Sequence, residues 1–164
     1  MKKSLWIVAT LGILILSWCW NSLGVVEYND SLVEYVKECL EANQSLYQTF
    51  NSEWVAVDSI MESIQSNITI CQASKEKAEK LWDYEKDSSL KDGVINLLLA
   101  NVDYLQKFAT TKPYRNTNVS EEDKAVYDSI SSELSQSQNV LNQQLTSLQD
   151  LQEVFAAKHE LKLK

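Results

Sequence analysis

The sequence predicts an all-α protein: an antiparallel helical bundle of about four helices, preceded by an N-terminal hydrophobic helix. Three observations carry this. Beyond the first 23 residues the only glycines are Gly24 and Gly93 and the only proline is Pro113, too few for the many tight turns of a sheet protein this size. Apolar residues recur at three- and four-residue steps in four successive stretches, which marks helices with one buried face. Finally, Met1-Lys2-Lys3 precedes an apolar run from Leu5 to Leu16, the layout of an export or insertion signal.

Residues 1–26 form that leader and 27–164 the bundle domain. The two lysines stay on the cytoplasmic side, so the domain beyond the leader faces outward. Three fates of the leader remain open. Leu5–Val26 is 22 residues, enough at about 1.5 Å per residue to cross about 30 Å of hydrocarbon as a retained anchor. Trp6, Trp18 and Trp20 would then sit at the interfaces, where indole rings partition. Ser22-Leu23-Gly24 instead puts small residues at the first and third positions before a cut after Gly24. Lipidation at Cys19 is the third fate; Leu16-Ser17 suits a bacterial lipobox, although Trp18 stands where that motif has a small residue. Each fate exports the domain, to the outer face of the cytoplasmic membrane or the periplasm.

The first domain helix carries Leu32, Val36, Cys39, Leu46 and Phe50 on one face, with Asn43 holding a place in the stripe and Asn29 or Asp30 as N-cap. Asn51-Ser52-Glu53 is the expected break. The second helix repeats the spacing at Trp54, Val57, Met61, Ile64, Ile68 and Cys71, then Leu81. With no glycine or proline at the break, one bent helix over 28–85 stays open. Asp87-Ser88-Ser89 caps the third helix, Ser89 and Asp92 having capping-box spacing. Its stripe is Leu90, Val94, Leu97, Leu98, Val102, Leu105 and Phe108, and it stops near Lys112, because the residue before Pro113 is pushed out of the helical region. Residues 113–119 form a loop. The last helix opens at Ser120-Glu121-Glu122-Asp123, with acids where the helix dipole favours them, and carries Tyr127, Ile130, Leu134, Leu141, Leu145, Leu148 and Phe155.

The whole chain has a formal charge of −8. Residues 1–24 hold Lys2 and Lys3 and no acid, so the remainder stands at −10. Such a domain is repelled by nucleic acid and by anionic headgroups, and nucleic-acid binding is excluded. The partners expected are the membrane, through residues 5–26, and another envelope protein.

Candidate chemistry is sparse. Export permits a Cys39–Cys71 disulfide. With a turn at 51–52, however, Cys71 falls about 10 Å beyond the level of Cys39, which favours two buried thiols; a turn near 55 would bring them level. His159 is the only histidine and suits a helix end; alone it cannot build the paired Glu-x-x-His sites of di-iron bundles. No metal or other cofactor is expected, and no serine or threonine is placed as a nucleophile. Glu27, Asp30, Glu34, Glu38 and Glu41 line one helix face, a solvated stripe, a cation-binding stripe or a docking face for a basic partner. Asn43, Asn67 and Asn118 open glycosylation triplets, discounted in a chain so rich in Asn, Ser and Thr.

Two stretches carry a family resemblance. Tyr28-Asn29-Asp30-Ser31-Leu32-Val33 resembles the mature start of a group of small exported bacterial helical proteins, and Phe155-Ala156-Ala157-Lys158-His159-Glu160-Leu161-Lys162-Leu163 resembles their close. That group is often described as lipoproteins, which implies lipidation at Cys19 and transfers no functional residue. The expected function is a non-enzymatic exported or membrane-tethered envelope protein acting through protein contacts. The alternatives are a bundle that binds a small molecule, with Trp54, Trp82, Tyr104 and Phe108 as lining, and a phage-type lysis or envelope-spanning rod, which needs the 28–85 helix unbroken.

Overall fold

The computed structural model describes residues 23–50, 57–110 and 121–161. Among them are four helices: α1 (Leu23–Phe50), α2 (Val57–Glu79), α3 (Ser89–Thr110) and α4 (Glu121–Lys158). They run up, down, up and down. Antiparallel pairing of α1 with α2 follows from their contacts, in which Ala42 meets Asn67, Cys39 meets Cys71 and Glu38 meets Ser74. These pairs centre on residue 55, a turn later than the one expected at Asn51–Glu53. The turn itself lies outside the described residues, as do Trp54, the 113–119 loop, Asn118 and the leader through Ser22, including Cys19. Because α1 and α2 lie side by side, the unbroken 28–85 helix is not formed.

α3 is the central helix, packed against α1, α2 and α4. Its stripe is correspondingly wide, with ten buried residues between Leu90 and Phe108. Gly93 allows the closest approach to α4: a Cβ there would stand 2.6 Å from Leu151 Cδ1. α1 and α4 meet at one end, where the rings of Tyr28 and Phe155 lie 6.0 Å apart.

Two boundaries differ from the sequence-based expectation, while α4 keeps its expected span. α1 begins at Leu23, so Asn29 and Asp30 are inside the helix rather than at its cap; Asn29 is in the core stripe at 1% exposure. Val25 is buried too, so the end of the expected 5–26 span packs within the bundle. α3 is capped within the expected Asp87-Ser88-Ser89 stretch, but Asp92 pairs with Ser88 and not with Ser89. Asp87 Oδ1 accepts the Ser89 N–H at 3.0 Å, and the Ser88 hydroxyl donates to Asp92 Oδ2 at 2.6 Å. Finally, α4 has 38 residues against 22 in α3, about 57 Å against about 33 Å. Among its described side chains burial starts at Ser137, while Ile130 and Leu134 are only half-buried, since a longer helix outruns its partners.

Serine and threonine are tolerated on the outer faces because their hydroxyls donate back to the carbonyl four residues earlier, as at Ser31, Ser63, Thr69, Ser135 and Thr146. This satisfies the hydroxyl locally.

Two turns place non-glycine residues at positive φ. Glu85 (51°) and Lys86 (65°) are the central residues of the Tyr84–Asp87 turn, closed by the Asp87 N–H on Tyr84 O at 2.9 Å. Glu160 (54°) ends α4 in a Schellman cap, with the Leu161 N–H on Ala156 O at 2.8 Å. Left-handed backbone costs an L-residue about 1–2 kcal/mol, partly offset by the greater entropy that glycine loses on folding. Lys86→Gly and Glu160→Gly are each expected to raise unfolding free energy by about 0.5–1 kcal/mol, read from urea midpoints at unchanged slope; lowered midpoints would contradict the assigned turns.

Candidate functional site

Two places concentrate polar groups inside the bundle. The first is its middle. Cys39 and Cys71 are joined as a disulfide with an S–S distance of 1.99 Å. Asn101 of α3 donates an amide N–H to Cys39 Sγ at 2.7 Å, and its Oδ1 accepts from Asn43 Nδ2 at 2.8 Å. One turn away, Asn67 Nδ2 donates to Ala42 O at 2.8 Å. Cys39 and Cys71 are fully buried, and Asn101 is 1% exposed. No external thiolate reaches either sulfur in the folded state, so the bridge holds helices together and does not exchange. Asn43 and Asn67 have their amides turned into this core, at 5% and 6% exposure, which removes both as glycan acceptors in the folded protein.

The second place is the end that carries Leu23. Here the first turns of α1, the 80–88 connection and the C-terminus of α4 converge on an aromatic cluster. Tyr28 lies 5.6 Å from Tyr84 and 5.9 Å from Trp82, and His159 lies 5.0 Å from Tyr84 and 4.5 Å from Phe155, between centroids. Lys91 ties the connection to α3 through Asp83 and Leu81 O, and Lys158 ties it to α4 through Asp87 at 3.0 Å. The Tyr28 hydroxyl, both Asn29 amide atoms and His159 Nε2 are buried with no hydrogen-bond partner. Burial first, then the Asp83 carboxylate, push the Tyr28 hydroxyl up to about 12; the Tyr84 backbone opposes this without completing a hydrogen bond. Hydrogen bonds from Ser89 first, and then from Lys158, hold Asp87 down at about 2.

The acidic stripe divides. Glu38 turns to α2, accepting from Lys77 Nζ at 2.8 Å and Ser74 Oγ at 2.9 Å, and Lys77 holds its carboxyl below the usual range. Glu41 lies 3.7 Å from Lys37 on its own helix. Glu27, Asp30 and Glu34 are exposed. One member is therefore a helix-to-helix tie, and the exposed part of the stripe is Glu27, Asp30, Glu34 and Glu41. A comparable tie joins α3 to α4, where Asp103 accepts from Ser137 and Lys107.

The aromatic set is also divided. Tyr104 and Phe108 stack at 6.2 Å near the C-terminus of α3, whereas Trp82 precedes its N-terminus. About 22 Å of helix separates Trp82's end from Tyr104. The cluster around Tyr28 was not legible in the sequence, because its members are drawn from three distant segments; aromatic residues near several helix ends were the only signal. Among the described residues no three His, Cys, Asp or Glu side chains gather as metal ligands, and His159 has no serine or threonine partner. No described helix is long and apolar enough to cross a membrane.

Two of the shifted groups, Tyr28 and Asp87, bracket the stability profile. Tyr28 holds its proton more tightly when folded, so its contribution is complete below pH 10 and is lost as pH rises from about 10 to about 12. Asp87 releases its proton more readily when folded, so its contribution is complete above about pH 4 and is lost as pH falls towards 2. Tyr28→Phe is expected to remove part of the alkaline loss at little cost at neutral pH, since the hydroxyl it deletes is unpartnered. Thermal midpoints measured from acid to alkaline pH check both limbs, and an unchanged alkaline limb in the variant contradicts the assignment. No family model, curated protein or solved structure matches this chain.

Proposed function

We propose that this chain is a non-enzymatic exported or membrane-tethered envelope protein that acts through protein contacts. The observation that carries the reading is the disulfide inside the core. Such bridges persist in oxidising compartments and are rare where thiols are kept reduced, and this one lies in a domain directly behind a basic, apolar leader. The leader and the bridge point to the same side of the membrane on independent physical grounds. The polar groups of the interior support a scaffold role, since most of them join one helix to another.

A small-molecule-binding module is the second reading. It draws on the Tyr28 hydroxyl and Asn29 amide, buried without partners, which a polar ligand or water would satisfy. A thermal-shift screen separates it, because a ligand bound only by the folded form raises the midpoint.

The test of the first reading is the intact mass of the chain recovered from its native envelope, unreduced. The expected result is a membrane or periplasmic species carrying one disulfide, as a full-length chain, a chain cut after Gly24 or a diacylated Cys19. A full-length chain recovered from the cytosol with Cys39 and Cys71 as free thiols would overturn it.

A further inference from the structure

The end of the bundle where α1 begins also carries the bulkiest exposed apolar side chain among the described residues. Trp82 is 56% exposed although its ring contacts Tyr28. It sits on a connection that is fastened from both sides, by Lys91 to Asp83 and Leu81 O and by Lys158 to Asp87. The hydrogen-bonded Tyr84–Asp87 turn closes the same segment. The indole is therefore presented outward by a braced loop. Gly24, in the first turn of α1, abuts this connection, since a Cβ there would lie 4.0 Å from the Tyr84 ring. Trp82 and the point where the leader joins the bundle thus share one end.

We propose that this end of the bundle rests on a phospholipid bilayer, with the Trp82 indole seated at the headgroup level of the membrane from which the leader emerges. The inference rests on the tethered form of the function proposed above. Six residues, 17–22, separate the apolar run from Leu23, a reach of at most about 20 Å when fully extended. Indole favours the interface, where its apolar body and its N–H are both accommodated. Several of the acids at this end are neutralised by ion pairs. Glu79 is paired with Lys75, Asp83 with Lys91 and Asp87 with Lys158. Lys80 and Lys86, on either side of Trp82, are exposed and have no ion-pair partner among the described residues, and neither have Glu27, Glu85, Asp92 and Glu160 at the same end, so the approach rests on the tether and the indole rather than on charge. A tether also converts a weak surface contact into an intramolecular one at high effective concentration.

The experiment uses the full chain, labelled with 5-fluorotryptophan and reconstituted into vesicles of phosphatidylethanolamine and phosphatidylglycerol at about 3:1. The Trp82 fluorine resonance is assigned by its loss in Trp82→Phe, and a headgroup-attached paramagnetic lipid is then added. The expected result is at least twofold broadening of the Trp82 resonance together with the leader tryptophans. A sharp Trp82 resonance beside broadened leader resonances would overturn the inference and leave the tether standing. No broadening of any resonance would overturn both.

Discussion

Three of the four helices are held in register by a single buried polar layer. The Cys39–Cys71 bridge fixes α1 against α2, and Asn101 brings α3 onto the bridge with one amide N–H while its carbonyl oxygen accepts from Asn43. Closing a loop across 32 residues removes denatured-chain entropy on the order of 3–4 kcal/mol in the chain-entropy account. The Asn pair adds selectivity more than strength. A one-turn slip of α3 would leave buried amides without partners, at about 1–3 kcal/mol each, whereas a slip of purely apolar stripes costs much less. A polar residue in a helical seam specifies alignment in this way.

The rest of the fold depends on that alignment. With α1, α2 and α3 in place, Glu38 meets Ser74 and Lys77, and α3 presents Gly93 to Leu151 and Asp103 to Ser137 of α4. The same register brings Tyr28, Tyr84, Phe155 and His159 together at the end where α1 begins. The two polar sites differ in quality. The middle is nearly satisfied, with only Asn43 Oδ1 unpaired, while that end keeps Tyr28, Asn29 and His159 atoms unpaired. Unpaired buried groups cost stability, so the end where α1 begins, and not the middle, is where a water, ligand or surface has something to add.

The helical stripes were legible in the sequence because apolar spacing reports a buried face directly, and Asn43 stood out as a polar member of its stripe. Asn101 did not, because Leu97, Leu98, Val102 and Leu105 fill the three- and four-residue steps around it. The late turn between α1 and α2 was hidden because residues 51–56 contain no glycine or proline, and an error of about three residues in its position is enough to separate two cysteines that are bonded. The Tyr84–Asp87 turn was hidden for a related reason: Glu85 and Lys86 occupy positive-φ positions that Asn-Gly would have announced. The capping stretch of α3 was legible as Asp87-Ser88-Ser89, but the box partner of Asp92 is Ser88 and not Ser89, since the two serines are chemically equivalent and only geometry chooses between them.

The central claim is that the core of this domain is built on one cross-link between α1 and α2. Its most direct test is a non-reducing protease digest of the full chain purified under thiol-blocking conditions, with the cross-linked peptides identified by mass spectrometry. The expected product is a peptide pair joining Cys39 to Cys71, with Cys19 in neither member of the pair. Blocked, unlinked Cys39 and Cys71, or a link from either one to Cys19, would contradict the register on which this account of the fold is built.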